Sequence, residues 1–152
     1  MDVLSRPADE FGNDGLVEEI WAKSAAEHAE VFFNLISTLD PKTIQLTPYD
    51  DVIYTTFRQD FPNLDVSVLS DDILKEPSEK IRWRSFCDKF NKVEDFSFGT
   101  LLRADASLDN SPENTLLVVR IQFLAIEIAR NREGFNDSIR KKFKVVSPSL
   151  SS

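Results

Sequence analysis

Between Asn114 and Gly134 the chain carries its most apolar segment, and the period of that segment changes partway along. Leu116, Leu117, Val118 and Val119 form an unbroken apolar run, which predicts a buried strand. Ile121, Leu124, Ala125 and Ile128 then recur at i, i+3, i+4 and i+7, the spacing of a core-facing helix. Arg120, Glu127 and Asn131 fall together on the opposite face, because steps of seven and four residues nearly complete whole turns. Gly134 stands where a left-handed C-terminal cap is wanted. Arg130 and Arg132 lie in the last turn, where cations suit the helix dipole. A strand feeding the main core helix accounts for this pattern. A partner contacting the polar face is the second reading of it.

The remaining pattern predicts four more helices and two more strands. Asn13 or Asp14 can cap a helix from about Gly15 to Leu39, with Val17, Ile20, Trp21, Ser24, His28, Val31, Phe32, Leu35 and Leu39 along its stripe. Asp40-Pro41 stops it. Thr47-Pro48-Tyr49-Asp50 reads as a start signal: Thr47 the cap, Pro48 the first helical residue, Asp50 the acid of a capping-box-like pattern. That helix carries Tyr49, Ile53, Phe57 and Phe61 at steps of four and ends at Pro62. Asp65 to Leu69 alternates as a short strand would, Ser70 caps a turn of helix, and Ser78 opens a helix bearing Trp83, Phe86, Cys87 and Phe90. Phe96 to Ser107 alternates again, and the Asp109-Asn110-Ser111-Pro112 loop returns it antiparallel onto Leu116–Val119; Ser111-Pro112 can equally begin a helix. The expectation is an α+β fold, helix-rich, with about five helices packed on a small, mainly antiparallel sheet. Residues 1–13 are read as a loose N-terminal arm, 14–137 as one globular domain, and 138–152 as a basic, then Ser-rich, tail.

Charge sharpens this picture. The 152 residues carry a net charge of -8. From Arg120 onward, seven basic residues face three acids, giving +4, so residues 1–119 carry -12. An acidic body disfavours non-specific nucleic-acid binding and suits a basic partner. Arg140, Lys141, Lys142 and Lys144 are the exception, able to touch RNA or a membrane surface or to stay solvated. No apolar run approaches the roughly 18 residues of a membrane span. The single cysteine, Cys87, excludes an internal disulfide, and Met1–Gly15 is not a secretory signal. The expected location is therefore the reducing cytoplasm or the nucleus.

Few residues carry catalytic chemistry. His28 is the only histidine, which excludes a His-based zinc site, and one cysteine excludes a thiolate cluster. A Cys87–His28 dyad is formally possible, but both residues lie on predicted core stripes. Asp50-Asp51 and Asp71-Asp72 sit at helix starts, where anions are stabilised by about 0.3–1 kcal/mol without any functional role. Glu94-Asp95 has no such explanation. Neither a Gly-x-Gly-x-x-Gly string nor a P-loop is present. Lys80-Ile81-Arg82-Trp83-Arg84 is the nearest approach to an aromatic–basic surface, with Trp83 assigned to the core. The residues point to a binding protein rather than an enzyme, with no cofactor and no metal.

Four strings carry a resemblance: Phe11-Gly-Asn-Asp14, His28-Ala-Glu-Val-Phe-Phe33, Val93-Glu-Asp-Phe-Ser-Phe-Gly-Thr-Leu-Leu-Arg103, and Arg120 through Asn136. They resemble the eukaryotic polysaccharide biosynthesis domain-containing protein family over about residues 11–137. Animal members carry a long charged C-terminal extension, where this chain has a short tail. The family name implies sugar chemistry, for which this chain lacks the metal-binding acids and nucleotide loop. The resemblance better implies a dedicated co-translational chaperone of translation elongation factor one-alpha, binding its nascent GTPase domain until GTP is loaded. An RNA- or ribosome-associated adaptor acting through the basic C-terminal segment is the alternative, and a sugar-nucleotide enzyme a third. The expected partner-binding residues are the polar members of the matching strings that packing does not explain: Glu94, Asp95, Arg103, Arg120, Glu127, Arg130, Asn131 and Arg132. The expected protein is a monomer that binds neither membrane nor specific nucleic acid.

Overall fold

A computed structural model describes the backbone of residues 15–143 and side chains from residue 22 to 143. Six helices and one two-stranded antiparallel sheet make up the fold among the described residues, in the order α1 (Gly15–Thr38), α2 (Asp50–Asp60), α3 (Asp71–Lys75), α4 (Pro77–Asp88), β1 (Gly99–Arg103), β2 (Thr115–Val119), α5 (Arg120–Glu133) and α6 (Asp137–Lys142). This is the helix-rich α+β class that the pattern predicted. The expected caps at Asn13 and Asp14, the side chains of Val17, Ile20 and Trp21, the arm 1–13 and the segment from Lys144 lie outside the described residues.

α5 is the centre of the molecule. It follows β2 directly: the Val119 N–H donates to Gln122 Oε1 at 3.0 Å, closing the helix start. At the other end Gly134 takes φ 89, the left-handed conformation that costs least without a Cβ, and its N–H donates to the Arg130 carbonyl. Every residue from Phe123 to Asn131 is buried. A helix buried all round has no solvent face. The polar face predicted for Arg120, Glu127 and Asn131 therefore points inward at Glu127 and Asn131, because β1 and the turn after Gly134 close over it. α2, α4 and β1 pack around α5, while α1 lies against β1 and α6.

Aromatic packing fills the space between α2 and α4. The Phe61 and Trp83 rings stack with centroids 4.2 Å apart, Phe57 stacks on Trp83 at 5.7 Å, and Phe86 meets Trp83 edge-on at 5.5 Å. Such pairs contribute about 0.5–1.5 kcal/mol each beyond their buried area. Arg58 fastens α2 to α5. Its Nη2 lies 2.6 Å from Glu133 Oε1, and its Nη1 donates to the Phe61 and Leu64 carbonyls that the end of α2 leaves open.

Several boundaries differ from expectation for identifiable reasons. α2 begins at Asp50 rather than Pro48, because the buried Asp50 carboxylate accepts from the Leu46 and Thr47 amides and folds the preceding residues into a turn. Tyr49 is consequently exposed rather than part of the core stripe. Asp65–Leu69 is not a strand; it makes one isolated bridge, Val68 to Asp105. The hairpin does form, with Leu101 opposite Leu117 and Arg103 opposite Thr115. Its first strand ends at Arg103, since the Asp105 carboxylate accepts from the Ser107 amide at 2.9 Å and starts a turn. The fold also runs past residue 137. Ile139 of α6 is fully buried, and Phe143 meets Phe33 edge-on at 5.6 Å.

Phe57→Ala is expected to lower the free energy of unfolding in urea by about 3–5 kcal/mol, through lost burial and a cavity between two rings. Ile81→Ala, at a side chain 72% exposed, is expected to change it by no more than about 0.5 kcal/mol. Equal costs at the two positions would contradict this core.

Candidate functional site

Five polar side chains meet where α5 crosses the end of β1. Glu127 is the only carboxylate among them. Its oxygens lie 3.2 and 3.3 Å from Arg103 Nη2, and Oε2 lies 3.5 Å from Arg130 Nη1. Arg103 Nη2 also donates to Asn136 Oδ1 at 2.7 Å, and Nη1 donates to the Ala106 and Leu108 carbonyls. Arg130 reaches the other way, its Nε donating to the Val66 carbonyl at 2.7 Å and its Nη2 to the Ala104 carbonyl at 3.2 Å. Asn136 Nδ2 closes the group, bridging Glu127 Oε1 and Asn131 Oδ1. All five residues are buried. Burial depresses the Arg130 guanidinium, and the nearby Glu127 charge opposes that depression.

This arrangement holds segments together; it does not present a surface. Two guanidiniums and one carboxylate join α5 to β1, to the 104–108 turn, to the segment around Val66 and to the turn after Gly134. Arg103, Glu127, Arg130 and Asn131 were expected at a partner surface, and the structure buries all four. The signal missed in the sequence was Asn136, whose side-chain amide completes the cluster from outside the helix.

The other four expected residues lie nearer the surface and apart from one another. Arg132 is half-exposed, with Nη2 2.6 Å from Asp51 Oδ1. Arg120 is partly buried at the start of α5. Glu94 and Asp95 are exposed in the turn before β1, where Asp95 takes φ 59 and its carbonyl accepts from the Phe98 amide at 3.0 Å. Aspartate tolerates the left-handed region better than most residues, so backbone geometry explains its presence there.

His28 and Cys87 do not form a dyad. His28 Nδ1 lies 3.1 Å from Thr100 Oγ1, and the ring meets Phe123 edge-on at 5.0 Å. Burial, with Asp88 adding to it, pushes the Cys87 thiol up to about 11, away from a thiolate nucleophile. Among the described residues no three His, Cys, Asp or Glu side chains are grouped to hold a metal, and no helix is long and apolar enough to cross a membrane.

Two clefts open on the surface beside α4. The larger, about 490 Å³, lies between the end of α2, α3 and the start of α4. Phe61, Leu64 and Ile73 give it an apolar floor, and Asp72, Glu76 and Glu79 stand round it against the single cation Arg82. The second, about 330 Å³, lies between α4 and β2.

The assembly is a helix-rich α+β domain, built round a buried ion cluster and bearing open clefts. Comparison places it further: the PBDC1 protein family model matches residues 17–141, and the chain belongs to that family. It is 53% identical over 137 residues to Protein PBDC1 of Homo sapiens, covering 90% of this chain and 59% of that protein, so the chain spans well under two thirds of the human relative's length. The Saccharomyces cerevisiae homolog of Protein PBDC1 is 41% identical over 128 residues, 81% of this chain and 88% of its own length. A solution NMR structure of a Saccharomyces cerevisiae protein superposes with a TM-score of 0.79 at 39% identity, covering 91% of this chain and 98% of that one.

Glu127→Gln leaves two buried guanidiniums without a counter-charge, and is expected to cost about 3–5 kcal/mol in denaturant unfolding. Replacing Arg103, Glu127 and Arg130 together with apolar residues of similar volume is expected to cost less than that single change. The reverse order would mean that the cluster is not an internal charge balance.

His28 yields a pH prediction. Burial lowers its pKa from 6.5, and the Arg120 charge lowers it further. The unfolded chain therefore takes up the proton first. The stability this gives is complete above the unfolded value and is lost as pH falls through the folded one. His28→Gln is expected to flatten the melting temperature profile between about pH 7 and pH 5. An unchanged slope would assign the dependence to other groups.

Proposed function

We propose that the chain is a non-enzymatic, co-translational chaperone that binds the nascent GTPase domain of translation elongation factor one-alpha and shields it until GTP is loaded. Membership of the PBDC1 family is the observation that carries this reading. The surface that suits it is the acid-rimmed cleft of Asp72, Glu76 and Glu79. An apolar floor takes an unburied side chain of an incompletely folded client, while the carboxylates attract a basic segment around it. Binding needs no chemistry from the chaperone. Nucleotide loading by the client supplies the free energy of release, by favouring a client conformation that the chaperone binds less well.

A second reading has one observation in its favour: α6 exposes Arg140, Lys141 and Lys142 together. An RNA- or ribosome-associated adaptor would use them, with binding that weakens steeply as salt rises.

The test is capture of the GTPase domain of elongation factor one-alpha, translated in vitro as a ribosome-bound chain, with and without GTP. Capture that GTP reverses is expected, as is at least a roughly ten-fold loss on changing Asp72, Glu76 and Glu79 together to Lys. Failure to capture, or capture indifferent to GTP, would overturn the chaperone reading. Capture lost only when Arg140, Lys141 and Lys142 are replaced would favour the adaptor.

A further inference from the structure

The cleft between α4 and β2 differs from the rest of this acidic chain. Leu74, Trp83, Phe96 and Val118 form its apolar part, Lys75, Lys80 and Arg84 its cations, and no carboxylate lines it. Lys80 and Arg84 are one helical turn apart. Neither is paired with a carboxylate among the described residues, whereas Lys75 reaches Asp71 at 3.4 Å. Lys80 and Arg84 belong to the Lys80–Arg84 string, in which Trp83 is core while these two cations are exposed.

Among the described residues the strand beside this cleft has an open edge, since β2 pairs there only with β1. The Ala104 amide donates to the Asn114 carbonyl and the Arg120 amide to the Phe98 carbonyl, so the ladder bonds fall on the even-numbered residues of β2. Thr115 and Leu117 therefore aim their N–H and C=O groups away from β1. Those groups meet no backbone partner among the described residues. Three consecutive residues, Leu117, Val118 and Val119, line the cleft and no residue of β1 does, which sets it along this outer edge. Leu117 is 54% exposed. The far side of β1 is closed, since α1 packs along it and Ser67 and Leu69 bond to the residues that follow it.

We infer that this edge and cleft form a docking site for an extended, acidic peptide segment of a partner protein. The peptide adds a third strand beside β2 through the main-chain groups of Thr115 and Leu117. Its alternate side chains enter the apolar cleft and its carboxylates meet Lys80 and Arg84. Main-chain pairing supplies affinity in such additions, and the flanking pocket and charges supply register and selectivity. A five-residue edge reading Thr-Leu-Leu-Val-Val has none of the prolines or charges that guard exposed edges against non-specific pairing. The Trp83 indole N–H, buried at the same cleft, has no acceptor among the described residues. This surface is separate from the acid-rimmed cleft, and the inference stands whether or not the chaperone reading does.

The test titrates the full chain with a synthetic peptide of alternating Val and Glu, about nine residues long, and follows backbone and indole N–H resonances. Shifts centred on Thr115, Leu117 and Trp83 are expected, with slowed exchange of the Leu117 amide. The Val/Glu peptide is expected to bind at least about ten-fold more tightly than a Val/Lys peptide, and Lys80→Glu with Arg84→Glu to remove that preference. Those two side chains are exposed, so the fold survives the change. Leu117→Pro removes an outward donor without removing a ladder bond, and is expected to weaken binding. Absence of binding, shifts centred elsewhere, or equal affinity for the two peptides would overturn the proposal. So would a Leu117 amide already protected in the free chain, whether released by Leu4→Asp, which assigns the edge to the chain's own N-terminal segment, or by dilution, which assigns it to a second copy.

Discussion

One carboxylate with two guanidiniums fixes how this chain closes. Glu127 sits at the middle of α5 with no exposed surface, and its charge is tolerable there only because Arg103 and Arg130 approach it from two directions. Each guanidinium also donates to carbonyls of irregular segments, Arg130 to Val66 and Ala104 and Arg103 to Ala106 and Leu108. Those segments have little regular structure to satisfy their own carbonyls. The cluster therefore does for the loops what a third and fourth strand would do in a larger sheet. Aliphatic residues of the same volume could fill the space, but they could not specify which carbonyl lies where.

The same cluster separates what the sequence discloses from what it hides. Periodicity located α5, its strand and its glycine cap, because each depends on neighbours within one or two turns. It also placed Glu127 and Asn131 on one face of the helix. Whether that face meets water or protein depends on Arg103, 24 positions earlier, and on Asn136 beyond the glycine, and no local pattern encodes that meeting. The start of α2 and the end of β1 were misjudged for a related reason. The Asp50 carboxylate accepts from amides before it and the Asp105 carboxylate from one after it, and a propensity argument cannot tell an aspartate that caps a helix or continues a strand from one that folds a turn. α6 escaped notice because six residues hold too few turns for a period, although Ile139 anchors them in the core.

α4 walls both clefts in a way its composition conceals. The helix has a low overall hydrophobicity, and its charges look evenly mixed along the chain. Wound at 3.6 residues per turn they sort into sectors. Trp83, Phe86 and Phe90 point to the core; Glu76, Glu79 and Arg82 border the cleft toward α3; Lys80, Arg84 and Cys87 border the cleft toward β2. Two openings of opposite charge thus share one wall. One opening presents carboxylates to a ligand with Arg82 beside them, and the other presents cations alone. A segment bound at the β2 edge would still feel α4 through Trp83, whose ring stacks on Phe61 in the wall of the other cleft. One stacked pair of rings therefore joins the apolar part of one cleft to the apolar floor of the other.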